Sequence, residues 1–174
     1  MIYTIGHSTR TLDDFVALLR AHAVAQLADV RTVPRSRRHP HFAADALARS
    51  LRHAGIVYRH LPGLGGLRKP RKDSANSAWR HEGFRGYADY METAEFERAL
   101  DELLAFAAAG QPAATAIMCA EALWWRCHRQ LVADALVARG VGVCHIMAID
   151  SAPPHALTTF ARVSDEKVSY RGLL

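Results

Sequence analysis
The chain has 174 residues, half of them hydrophobic and 22% charged, with a formal net charge of +5. That suits one globular domain over residues 1–174 with enough apolar sequence for a full core, and two domains would be cramped in it. Three cysteines (Cys119, Cys127 and Cys144) make a disulfide scaffold a poor fit, and with no basic leader or membrane-length apolar run the expectation is a soluble, cytoplasmic protein with no membrane partner.

In chain order, strand-like runs fall at Met1–Ile5, Val24–Val30, Ile56–His60, Ala113–Cys119 and Val141–Ala148. Helical patterns lie between most of them. The first has Thr11 as its N-cap, Asp13 and Asp14 in its first turn, and Leu12, Phe15, Val16, Leu18 and Leu19 on its apolar face. The second runs from about Phe42 to His53 and stops at Gly55. Residues 62–90 break the rhythm with a Gly63-Leu64-Gly65-Gly66 loop and the basic run Arg68-Lys69-Pro70-Arg71-Lys72, which reads as an inserted, mobile loop or lid. The third helix spans about Thr93 to Ala109, and the fourth about Leu123 to Ala138. Strands alternating with helices of this length predict a mostly parallel sheet in a three-layer α/β/α sandwich.

Charge is regional. Residues 31–85 hold 13 Lys/Arg against 3 Asp/Glu, a balance of +10, which leaves 9 against 14, or −5, elsewhere. Only three of the 22 basic residues are Lys, and the planar fork of Arg matches phosphate oxygens. A phosphorylated small molecule or a nucleic acid is the partner this implies, against a merely solvated face. Trp79, Phe84, Tyr87 and Tyr90 interleave with Arg80, His81 and Arg85, a mixture that either stacks bases or anchors the inserted loop.

Each polar block follows an apolar strand. His7 and Ser8 follow the first, Asp29 and Arg31 end the second, and Cys119 and Glu121 close the fourth, with Arg126, Cys127, His128 and Arg129 soon after. Parallel strands would bring these to one carboxyl edge, beside Arg35 and Arg37 of the following loop, where open α/β sheets bind ligands. The candidate catalytic residues are therefore Cys119, Glu121, Asp29 and His7. The candidate substrate-binding residues are Ser8, Arg31, Arg35, Arg37, Tyr87, Arg126, His128 and Arg129.

The blocks IYTIGHSTRTLDDFVALL, ADVRTVPRSRR, LPGLGG, FRGYADYM and MCAEALWWRCHRQLVADAL resemble the bacterial and archaeal family catalogued as domain of unknown function 488. The most specific are IGHS, DVR-x-x-P-x-S and C-x-E-x(5)-C-H-R. The resemblance covers nearly the whole chain; it implies an α/β fold with a polar site built from these blocks and fixes no reaction. Leu123-Trp124-Trp125 stands where a proline is associated with the family.

Three chemistries are open at this edge. Cys119 at a helix N-terminus near Arg126 and His128 can be a thiolate nucleophile, although Cys119-x(6)-Arg126 is one residue longer than the Cys-x(5)-Arg of phosphatase loops. Cys119, Cys127 and His128, with His7, are zinc-type ligands, but Cys119-x(7)-Cys127 fits no paired-knuckle spacing, so no metal is assigned and Cys127 reads as core. Glu121 and Asp29 can act as an acid/base pair with His7 as proton shuttle; the alternatives are an Asp29–Arg31 or Asp29–Arg35 ion pair and a capping role for Glu121. No cofactor is named by the sequence. It lacks Gly-x-Gly-x-x-Gly after the first strand, a Walker loop and a Gly-x-Ser-x-Gly elbow, which disfavours dinucleotide oxidoreductases, P-loop NTPases and serine hydrolases. The resulting expectation is an enzyme acting on a nucleotide, nucleic acid or other phosphorylated substrate at an anion-binding site, possibilities including a hydrolase or transferase; a noncatalytic nucleic-acid-binding or regulatory module is the alternative.

Overall fold
Near-continuous buried apolar runs produce the parallel sheet that the sequence predicts. The computed structural model describes residues 1–172. Strands β1 (Ile2–Gly6), β2 (Val24–Asp29), β3 (Val57–His60), β4 (Ala114–Cys119) and β5 (Val143–His145) pair in parallel in the order β3-β2-β4-β1-β5. Strand β4 is central, with Cys119 opposite Gly6 of β1 and Met118 opposite Asp29 of β2. The ends of the three inner strands thus share one edge.

Helices cover both faces. On one face α1 (Leu12–Ala21) and α2 (Ala44–His53) bury Phe15, Leu18, Leu19, Leu47 and Leu51 against Ile5, Leu27, Ala116 and Met118. On the other, α3 (Glu82–Met91), α4 (Ala94–Ala109) and α5 (Arg129–Ala138) bury Tyr87, Phe96, Leu100, Leu103 and Leu131 against Ala28, Val30 and Ile117. The caps form as their chemistry dictates: Thr11 Oγ1 accepts from the Asp14 amide at 3.1 Å and Thr93 Oγ1 from the Phe96 amide at 3.3 Å. A hairpin of β6 (Arg162–Ser164) and β7 (Lys167–Ser169) follows the sheet.

Three segments differ from the sequence reading, and the smallest difference is the last strand of the sheet, which spans Val143–His145 rather than Val141–Ala148. Residues 82–91 of the inserted segment are helical, and their apolar face of Tyr87, Ala88 and Met91 joins the core. The rest of the segment is tied down: Asp89 accepts from the Arg71 amide at 2.8 Å, Ser74 Oγ at 2.6 Å and Asn76 Nδ2 at 2.9 Å, while the hydroxyls of Tyr87 and Tyr90 donate to the carbonyls of Leu64 and Gly63, each at 2.7 Å. The fourth helix begins at Arg129 rather than Leu123. Ahead of it lie a single 3-10 turn, Trp124–Arg126, and an extended Cys127, so the loop after β4 is long enough to fold back over the sheet edge.

Candidate active site
The carboxyl edge opens into a cleft of about 880 Å³. Its floor comes from the ends of β1, β2 and β4, and its walls from the loop after β2, Gly66–Leu67, the start of α3 and the loop after β4. Of the residues singled out in the sequence, His7, Ser8, Arg31, Arg35, Arg37, Tyr87, Cys119, Glu121, Arg126 and His128 line it, and Asp29 and Arg129 lie behind it.

Close backbone approach builds the floor. His7 N–H donates to the Cys119 carbonyl at 3.0 Å and Ser8 N–H to the Ala120 carbonyl at 2.9 Å, which staples β1 to the loop after β4. Gly6 permits this, since a Cβ there would fall 1.9 Å from the Glu121 carbonyl oxygen. Ser8 turns the chain with φ of 49°, a left-handed conformation uncommon outside glycine and found at functional sites.

Asp29 is fully engaged. Its Oδ1 accepts from Arg31 N at 3.1 Å and Arg31 Nε at 2.8 Å, and its Oδ2 from Arg31 Nη2 at 2.5 Å and the Tyr58 hydroxyl at 2.7 Å. The carboxylate is completely buried. This is the ion-pair alternative for Asp29: a bidentate clamp that orients Arg31, with no free oxygen aimed at the cleft. Burial, the Asp29 charge and its hydrogen bond push the Tyr58 phenol well above its ordinary value, so it serves as a donor.

Arg31 passes the constraint on to His7. Its Nη1 lies 3.3 Å from His7 Nε2, and His7 Nδ1 lies 2.9 Å from the Ser8 carbonyl oxygen. The carbonyl requires N–H on Nδ1, and the guanidinium requires a lone pair on Nε2, so His7 is held neutral in one tautomer. Its ring stacks on Phe42 with centroids 4.2 Å apart. Burial, together with the Arg31 charge, lowers its pKa to about 4.

The loop after β4 is organised by Arg129, whose guanidinium is buried against three acceptors. It donates to the Glu121 carbonyl, to the Ala122 carbonyl at 3.3 Å and, through Nε, to Cys127 Sγ at 3.4 Å. The turn this imposes brings Cys127 and His128 back to Cys119: the two sulfurs and a histidine nitrogen all lie within 4.8 Å of one another. His128 Nδ1 is 3.6 Å from Cys127 Sγ, and Nε2 donates to the Val30 carbonyl at 3.1 Å. The hydrogen bond between the two thiols and burial hold the proton on Cys119, whose pKa rises; the Cys119 S–H, His128 and Arg129 lower that of Cys127. Ionisation within this pair is thus favoured at Cys127 over Cys119.

Glu121 stays exposed, and one oxygen accepts from the Leu123 amide at 3.3 Å, a cap for the 3-10 turn. The basic run resolves into two groups. Arg71 pairs with Glu92 at 2.6 Å, Arg68 lies over the Tyr90 ring at 3.6 Å and Arg59 over Phe106 at 4.7 Å. By contrast Arg35, Arg37, Arg38 and Arg126 are exposed on the cleft, and among the described residues none has a carboxylate within salt-bridge distance. Of the interleaved aromatics, Phe84 and Tyr87 line the cleft; Trp79 and Tyr90 anchor the inserted segment.

The sequence reading missed two supports, Tyr58 and Arg129 as the organiser of the loop, and it set Cys127 aside as core after weighing it with Cys119 and His128 as zinc-type ligands. The Cys127-His128 dipeptide was the available signal, but its meaning depends on the fold-back of the loop.

A family model described as domain of unknown function DUF488 matches residues 11–136, which is 126 of the 174 residues. The chain belongs to this family. The match includes the Asp29–Arg31 clamp, the arginine loop, the inserted segment and the whole Cys119–Arg129 block; His7 and Ser8 lie just before it. No curated protein and no solved structure matches the chain. Among the described residues, no helix is long and apolar enough to cross a membrane.

Proposed function
We propose that this DUF488 protein is an enzyme that binds a nucleotide, a nucleic acid or another phosphorylated substrate in the carboxyl-edge cleft. One observation carries the reading: four arginines without acidic partners face the same cleft as the Cys119–Cys127–His128 cluster and a neutral His7. Unpaired guanidiniums around a concave site favour an anion, and their forks suit phosphate oxygens. The cluster supplies the chemistry at the floor, and exposed Glu121 is the carboxylate available to move a proton. Phe84 and the exposed side chains of Val33 and Leu67 give the walls an apolar surface for a base or other planar group.

Thermal-shift screening of nucleoside mono-, di- and triphosphates, sugar phosphates and short oligonucleotides tests this. Stabilisation by a phosphorylated compound, lost in Arg35→Ala/Arg37→Ala, supports the reading. Stabilisation only by long oligonucleotides, with no change to the bound material, supports the noncatalytic binding module. No stabilisation by any phosphorylated compound overturns both.

A further inference from the structure
We propose that Cys119 Sγ, Cys127 Sγ and His128 Nδ1 form a three-ligand site for a soft divalent transition metal of the zinc type, with a fourth coordination position open to the cleft. The three side chains come from the end of β4 and from the loop that folds back to it, and their donor atoms lie within 4.8 Å of one another. Zinc–sulfur bonds of about 2.3 Å and zinc–nitrogen bonds of about 2.0–2.1 Å in a tetrahedron place two sulfurs roughly 3.8 Å apart and sulfur and nitrogen roughly 3.6 Å apart. The Cys127 Sγ to His128 Nδ1 separation is 3.6 Å.

The surroundings of His128 match those of a ligand. A metal-binding imidazole donates its other N–H to a backbone carbonyl or carboxylate, which fixes the tautomer and aims the lone pair. His128 Nε2 does this to the Val30 carbonyl, leaving Nδ1 as the acceptor toward the sulfurs. Gly66 leaves that nitrogen uncovered, because a Cβ at Gly66 would lie 2.8 Å from Nδ1. Arg129 Nε supports Cys127 Sγ from behind, a second hydrogen bond to a ligand atom.

Three protein ligands rather than four is the pattern of sites that leave a position for water or substrate. All three line the cleft, so that position faces the arginines. Spacing arguments miss such a site because paired Cys-x(2–4)-Cys knuckles belong to closed structural centres, whereas here a strand end and a return loop supply the ligands.

The test uses reduced, metal-depleted full-length protein titrated with Co(II), then with Zn(II) as competitor. One equivalent of Co(II) should give thiolate-to-cobalt charge-transfer absorption and the intense d–d bands of a tetrahedral ion, both abolished by Zn(II). Cys119→Ser, Cys127→Ser and His128→Ala should each weaken binding by more than about 100-fold, beyond the 10- to 100-fold typical of a supporting residue. Cys144→Ser should bind as wild type. His128→Cys, which keeps three soft ligands, should restore binding with stronger charge transfer, so variants that fail to fold do not decide the matter. Absent thiolate-to-cobalt absorption in folded wild-type protein, or absorption insensitive to the three ligand substitutions, overturns the site. Arg35→Ala/Arg37→Ala should keep the cobalt spectrum, so failure of phosphate binding and failure of the metal site are distinguishable.

Discussion
Two polar clusters rich in histidine occupy this molecule, and they end differently. Behind β1, a chain of hydrogen bonds runs from the Thr4 hydroxyl to His145 Nδ1 at 2.8 Å, from His145 Nε2 to His155 Nδ1 at 2.9 Å and from His155 Nε2 to Asp134 Oδ1 at 2.9 Å. Asp134 also accepts from the Thr158 amide at 2.9 Å and the Tyr170 hydroxyl at 2.7 Å, and Trp124 stacks on His145 at 4.0 Å. Every donor there meets an acceptor, so the cluster closes on itself and pins the C-terminal segment to α5. At the carboxyl edge the same residue types are held just as firmly by Asp29 and Arg129, but the outer members, the four cleft arginines and Glu121, point into open space. Residue type does not separate scaffold from site; what separates them is whether the hydrogen-bond chain terminates inside the protein.

The largest expected effect lies in the closed cluster. Asp134→Ala removes a fully buried carboxylate from three donors, and urea or thermal unfolding should show a loss on the order of 3 kcal/mol. A loss below about 1 kcal/mol would deny it a structural role. Asp29→Ala should cost about 2–3 kcal/mol for the same reason, and because it frees Arg31 it should also weaken binding in the cleft. Stability unchanged by Asp29→Ala would sever Asp29 from the scaffold class.

Both clusters hold histidines neutral, which gives a pH signature. Burial lowers His7 to about 4 and, together with His155, lowers His145 to about 3, against about 6.5 for an unperturbed imidazole. Between these values the unfolded chain binds more protons than the folded one, so stability rises with pH across the window and falls as pH drops from 6.5 toward 4. His7→Gln should flatten that slope in a series of unfolding curves; an unchanged slope would place the titration elsewhere.

Much of the fold was legible because each signal is local. Thr11 and Thr93 cap their helices, and each apolar strand ends in the polar block that parallel pairing brings to one edge, with His7, Asp29 and Cys119 at neighbouring strand ends. Legibility failed where a residue's meaning depends on distant backbone. The period Phe84, Tyr87, Ala88, Met91 was obscured by Gly83 and Gly86, poor helix formers; Gly86 is required because a Cβ would fall 2.4 Å from the Arg68 carbonyl oxygen. Cys127 reads as a helix-phase core residue until Arg129 bonds the Glu121 and Ala122 carbonyls and turns the loop back. Asp29 reads as a base or, somewhat better, as an ion-pair partner, and only the approach of Tyr58 from β3 closes its last oxygen.

The smallest effect on stability belongs to the open edge. Arg35→Ala/Arg37→Ala removes exposed, unpaired groups and should change unfolding free energy by no more than about 0.5 kcal/mol, while affinity for a phosphorylated ligand falls by roughly tenfold or more. Oligonucleotide affinity, where present, should fall as salt rises, with a shallower slope in this variant. A salt-independent affinity would remove phosphate contact from the account.

The most direct measurement of the central claim is chemical-shift mapping of backbone amides in reduced protein titrated with a nucleoside monophosphate. The account predicts saturable shifts concentrated in Ser8, Thr32–His39, Gly66–Leu67 and Ala120–His128, with the Asp134–His155 cluster still. Saturable shifts centred on any other surface, or none in the cleft at saturating ligand, would contradict it.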